Sequence, residues 1–161
     1  MTLRPAEGSD HAAIWAILQP VFRAGETYCI DPQISEAAAL AYWCGSPRRV
    51  FIAAGREGAV LGTYYLTPNQ PGGGAHVANC GFATAAAAQG QGIARAMLTH
   101  ALDTARDAGF HAMQFNFVVQ TNGRAVALWQ RHGFEIVGRL PGAFRHPAQG
   151  YVDALVMYRV L

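Results

Sequence analysis

A chain of 161 residues that is 52% hydrophobic has the size of one domain with a real core, and composition argues against disorder. Its net charge is +2, and all twelve basic residues are arginine, scattered without a stripe or run, which excludes a nucleic-acid footprint. No apolar run approaches the roughly 20 residues of a membrane span, and Met1–Pro5 carries no basic-then-apolar leader pattern. Three widely spaced cysteines, Cys29, Cys44 and Cys80, argue against a disulfide framework or a zinc site, and the six histidines form no tight ligand pair. The expectation is a cytoplasmic protein, one domain over residues 1–161, with no metal, membrane or nucleic-acid partner.

In chain order, Leu3 to Ala6 reads as a short first strand, and Ser9 or Asp10 as the cap of a helix. There Ile14, Ile17, Leu18, Val21 and Phe22 recur at helical spacing. Gly25 stops it, and a loop through Tyr28 follows. Ser35 begins a second helix, to about Trp43. Val50 to Ala54 and Val60 to Leu66 read as a hairpin across Gly55–Gly58. His76 to Thr84 is a strand. The next helix, from Ile93, buries Ile93, Met97, Leu98, Ala101, Leu102 and Ala105 on one face. Ala112 to Val119 is β-rich, Asn122 caps a helix running to His132, and Phe134 to Gly138 and Tyr151 to Val160 are the last strands.

Between the strand ending at Thr84 and the helix from Ile93 lies Gln89-Gly90-Gln91-Gly92-Ile93-Ala94-Arg95. Two glycines permit close backbone approach, and the helix start presents unpaired N–H groups and a positive dipole end, a cradle for phosphate. Arg95 occupies the place where a dinucleotide fingerprint needs a third small residue. The ATP-type loop needs a lysine, and the chain has none. Gln89-x-x-Gly92-x-Ala94 fits the Q/R-x-x-G-x-G/A pyrophosphate loop of acetyl-CoA-dependent acetyltransferases. Downstream, Asn122-x-x-Ala125-x-x-Leu128-Trp129-x-x-x-Gly133-Phe134 resembles N-x-x-A-x-x-L-Y-x-x-x-G-F, and the two motifs occur in order and at spacing. On these residues the chain resembles the GNAT superfamily of N-acetyltransferases over nearly its whole length.

The resemblance implies an α/β GNAT fold: a mixed, mostly antiparallel sheet of six or seven strands, a central parallel β-α-β crossover and about four helices. It implies acetyl-CoA as cosubstrate. The backbone of Gln89, Gly90, Gln91, Gly92, Ile93, Ala94 and Arg95 would hold the pyrophosphate. Phe82, Ala83 and Thr84 would pair with the pantetheine arm, and Asn122 would contact it. Trp129 departs from the family's usual tyrosine, and an indole N–H donates without being a usable acid near neutral pH. Either another residue is the acid, with Tyr28 and Tyr151 as candidates, or the thiolate leaves without one.

Asn79 stands where many family members place a glutamate base, and an amide is not a base. Asn116 lies between Phe115 and Phe117 in the next strand. With Asn122 and the Gly25–Tyr28 loop, these amides resemble the fungal subgroup that acetylates proline analogues such as azetidine-2-carboxylate. Asn79 and Asn116 would hold a substrate carboxylate or position a water. The acceptor expected is a small amine, an amino or imino acid. A peptide N-terminus and a non-catalytic CoA-binding module stay open as alternatives, as does the choice between monomer and homodimer.

Overall fold

Successive side chains of a strand face opposite ways, and residues 63–66 show the consequence. Tyr64 and Leu66 enter a core cluster with Met97, Leu98 and Ala101, whereas Tyr65 enters a second cluster with Ile14, Phe22 and Trp43. A sheet buried on both faces needs helices on both, and the computed structural model, which describes residues 1–161, has that arrangement. The strands are β1 (Thr2–Pro5), β2 (Arg49–Ala54), β3 (Val60–Pro68), β4 (Val77–Thr84), β5 (Ala112–Val119), β6 (Glu135–His146) and β7 (Gly150–Val160). The helices are α1 (His11–Ala24), α2 (Glu36–Cys44), α3 (Ile93–Asp107) and α4 (Gly123–Arg131). No helix is long and apolar enough to cross a membrane.

The seven strands lie in the order β1-β2-β3-β4-β5-β7-β6, and all neighbours are antiparallel except β4 and β5. That parallel pair spans α3 and holds for two residue pairs, Val77–Ala112 and Ala78–Met113. Beyond it the strands part. A register shift between Phe115 and Val118 interrupts the pairing of β5 with β7 at the same level, as a bulge bends and twists its strand. The amide of Asn79 donates to the Gln114 carbonyl at 2.9 Å, so a side chain supplies the next cross-strand bond where the backbones no longer reach. Past this fork, one edge of β4 carries backbone groups without a strand partner.

The predicted elements differ from the observed ones in two instructive places. Asp10 is not a side-chain cap for α1. Its carboxylate takes two bonds from the Arg4 guanidinium, at 2.7 and 2.8 Å, and one from the Glu7 N–H, and Arg4 holds its pKa below the usual carboxylate range. Strand β6 runs from Glu135 to His146, eight residues beyond the predicted end at Gly138. Gly138, Pro141 and Gly142 look like strand breakers, but β6 is the edge strand and its pairing with β7 shifts between Ile136 and Gly138 and between Leu140 and Phe144. An edge with irregular register accommodates proline and glycine.

Candidate active site

The fork between β4 and β5 opens a cavity of about 510 Å³ whose walls include Tyr28, Tyr65, Asn69, Asn79, Phe115, Asn116, Asn122 and Trp129. Beside it runs a larger groove lined by Phe82, Ala83 and Thr84, every residue from Gln89 to Arg95, Asn122 and Trp129. The two meet at Thr27, Phe82, Asn122 and Trp129. All the residues picked out from the sequence therefore line one or both cavities, with one exception. Tyr151, an alternative acid, is 76% exposed on the β6–β7 hairpin and lines neither.

The groove's anion site is built from backbone. Gly90 and Gly92 have φ of +76° and +79°, the left-handed region that side chains disfavour. The N–H groups of Gly90, Gly92, Ile93, Ala94 and Arg95 have no backbone acceptor, and the first bond of α3 is Ala96 N–H to the Gly92 carbonyl. A Cβ on Gly90 would meet nothing within 4 Å, so the loop is an open cradle of donors at a helix start. The Arg95 guanidinium folds back to 3.9 Å from the position of a Gly92 Cβ. These features fit a pyrophosphate.

At the junction, Asn122 uses its oxygen to cap α4, accepting from the Ala125 N–H at 3.3 Å, which leaves its two amide hydrogens unspent. Trp129 is 8% exposed and packs against Phe82 and Phe115 with ring centroids 5.2 and 4.9 Å apart. Its indole N–H makes no hydrogen bond in the chain. A tryptophan serving as wall rather than acid predicts that Trp129→Phe keeps kcat within about fivefold and loses roughly 1–2 kcal/mol of stability from the smaller ring. Steady-state kinetics on a folded variant checks this; a thousandfold collapse would make the indole N–H essential.

Tyr28 sits with its ring edge-on to Phe22 and Trp43, and its hydroxyl donates to the Phe82 carbonyl at 2.8 Å. Burial drives its pKa well above the ordinary value of 10. It stays neutral through the physiological range, as a hydrogen-bond donor on the β4 edge. Asn116, exposed on the β5 bulge, accepts from Gln114 and donates to Asn69, each at 2.7 Å. Asn79 retains one amide hydrogen and its oxygen after bonding Gln114.

Four cavity residues carry no signal in the sequence. The Tyr65 ring lies across Gly81, where a Cβ would stand 2.4 Å from it, so that glycine is fixed by close approach in a strand. Tyr42 packs edge-on to Tyr65 at 6.5 Å. The Arg48 guanidinium lies over both tyrosine rings, 4.6 and 4.9 Å from their centroids. None of these contacts is local in sequence, so periodicity and turn chemistry do not reveal them.

Residues 11–134 match the model of the acetyltransferase (GNAT) family. The chain belongs to the GNAT acetyltransferase family. A solved GCN5-related N-acetyltransferase from Kribbella flavida is 44% identical and superposes with a TM-score of 0.95 over 99% of this chain and 97% of that one. N-acetyltransferase aca1 of Schizosaccharomyces pombe is 35% identical over 99 residues, 61% of this chain and 47% of the relative. The chain thus spans about half the length of that curated relative. A phosphinothricin acetyltransferase from Sinorhizobium meliloti, solved with acetyl-CoA, shares the fold at 22% identity and a TM-score of 0.87, covering 99% of this chain and 88% of its own. The domain shares the fold of family members solved with acetyl-CoA.

Proposed function

We propose that this GNAT domain, a single domain over residues 1–161, acetylates the amine of a small amino or imino acid. The observation that carries the reading is the cavity at the fork. Its volume of about 510 Å³ suits a small ligand. It is walled by aromatic rings and by the amides of Asn69, Asn79 and Asn116, and it meets the cofactor groove at Phe82, Asn122 and Trp129. In the groove, the Gln89–Arg95 loop anchors the pyrophosphate, and the edge of β4 from Phe82 to Thr84 receives the pantetheine arm. Acetyl-CoA supplies the activated acetyl group when bound. The unspent amide hydrogens of Asn122 are the donors where negative charge builds on the carbonyl oxygen and the departing sulfur, while Trp129 walls the junction and Tyr28, bonded to the Phe82 carbonyl, fixes the edge of β4. Asn79 and Asn116 hold the acceptor, their remaining hydrogens directed to its carboxylate. Three free cysteines agree with a reducing, cytoplasmic setting.

Within this class, proline analogues such as azetidine-2-carboxylate are the finer assignment, supported by the Asn79, Asn116 and Asn122 pattern. The test is release of CoA thiol across amino acids, four- and five-membered cyclic imino acids, simple amines and short peptides. The highest kcat/KM is expected on a cyclic imino acid; turnover confined to peptides would defeat the reading. Asn116→Ala is expected to lower kcat/KM for the acid about tenfold to a hundredfold, the effect of losing a hydrogen bond to a charged group, with acetyl-CoA affinity unchanged. Asn79→Ala removes the fork's cross-strand bond as well, so its loss extends to acceptors without a carboxylate. Equal loss of acid and amine acceptors in Asn116→Ala would remove the carboxylate role from that residue.

A further inference from the structure

We infer that the acceptor's anionic group is seated on Arg48, which makes this arginine the specificity determinant for a carboxylate-bearing acceptor; the inference rests on the small-acceptor reading above. Arg48 is half-buried in the loop between α2 and β2, on the wall of the fork cavity. No aspartate, glutamate or histidine lines that cavity, and Arg48 is the charged residue in its wall. Its guanidinium makes no salt bridge and no hydrogen bond. Among buried side-chain nitrogens and oxygens, Arg48 Nε alone lacks a partner.

The other arginines without a partner, Arg49, Arg56, Arg95, Arg124, Arg131 and Arg145, are all exposed to water, and the rest are bonded. Arg4, Arg106 and Arg139 pair with Asp10, Asp103 and Asp153, and Arg23 and Arg159 donate to backbone carbonyls. A guanidinium is charged at every working pH and carries five donors. Leaving it unpaired among apolar and aromatic groups is costly, so its setting is a binding surface held ready. The rings of Tyr42 and Tyr65, at 87° to each other, hold the guanidinium by cation–π attraction, which spends none of its N–H donors and leaves its edge without a partner. Gly81 is what lets the Tyr65 ring lie across β4 beneath it. A planar fork with a free edge matches a carboxylate, two parallel N–H bonds at once. Arg48 provides the charge and the amides of Asn79 and Asn116 provide direction.

The experiment compares a cyclic imino acid with its carboxamide, which removes the negative charge and keeps the amine. The wild-type enzyme should prefer the acid. Arg48→Gln keeps a planar group to stack on the tyrosines; it should lose tenfold to a hundredfold in kcat/KM on the acid, change less than about threefold on the carboxamide, and leave acetyl-CoA affinity intact. Arg48→Lys, with the charge but not the fork, should recover part of the preference for the acid. A structural role alone would lower acid and amide together, and that result, or an acid preference surviving in Arg48→Gln, overturns the inference. Peptides with an acidic or neutral residue beside the amine complete the panel. Turnover of acidic peptides alone, with the preference erased in Arg48→Gln, would keep the anion seat on Arg48 while removing the small-acceptor reading. Turnover of neutral acceptors alone would remove both.

Discussion

Replacing Gly92 with Val is expected to reduce acetyl-CoA affinity at least about a hundredfold while the sheet and helices stay folded. Gly92 holds φ at +79° immediately before α3. An L-residue pays roughly 1–2 kcal/mol in that region, and branching at Cβ adds crowding. The loop relieves the strain by rotating Gly92, which turns its own N–H and those of Ile93 and Ala94 away from a common point. Several charge-assisted bonds to one anion are then lost together, and each is worth about 1.5–3 kcal/mol. Gln89 to Gly92 are exposed and outside the two core clusters, and Ile93 beside them keeps the start of α3 anchored in the first cluster, so the damage stays local. Gly90→Ala is the milder version, because its Cβ meets nothing within 4 Å and the penalty is conformational. Calorimetric titration with acetyl-CoA, alongside a melting curve, reads both effects. Wild-type affinity in a folded Gly92→Val variant would show that the pyrophosphate lies elsewhere.

The loop was legible because its chemistry is local. Glycines at fixed offsets, a strand before and a helix after can all be read within seven residues. The apolar face of α3 was legible for the same reason. Strand β6 was underestimated because breaker residues mean less at a sheet edge, where Pro141 leaves no interior ladder bond unmade. Asp10 looked like a cap because its neighbours fit one, and a partner six residues earlier, Arg4, took its carboxylate instead. The acceptor side of the site was the hardest to read. Arg48, Tyr42, Tyr65 and Gly81 come from a loop, a helix and two strands, and only the packed sheet brings them to one wall. Asn79 shows the intermediate case: a lone amide in an apolar strand advertised that it had a partner, but not that the partner was the Gln114 carbonyl at the fork.

The pH dependence of kcat/KM for the acceptor is expected to follow the acceptor's own amine, rising tenfold per pH unit from about pH 6 up to that amine's pKa. An amine attacks only when neutral, and a protein base would make the rate follow the base instead. The titratable groups around the fork cavity are Tyr28, Cys29, Tyr42, Arg48, Tyr65 and Cys80, with no carboxylate or imidazole among them. Burial pushes Tyr28, Cys29, Tyr65 and Cys80 upward from their ordinary values. A raised pKa keeps an acid protonated to higher pH, so none of these four supplies a base near neutrality. The minor, neutral fraction of the amine is then what reacts, and that fraction grows tenfold per unit below its pKa. Two acceptors whose amines differ by about two units should give profiles displaced by the same two units. A single limb shared by both, at one midpoint, would show that the protein takes the proton. Glu26, His132 and His146 line the adjoining cofactor groove, and each would then be replaced in turn to find which one moves the midpoint.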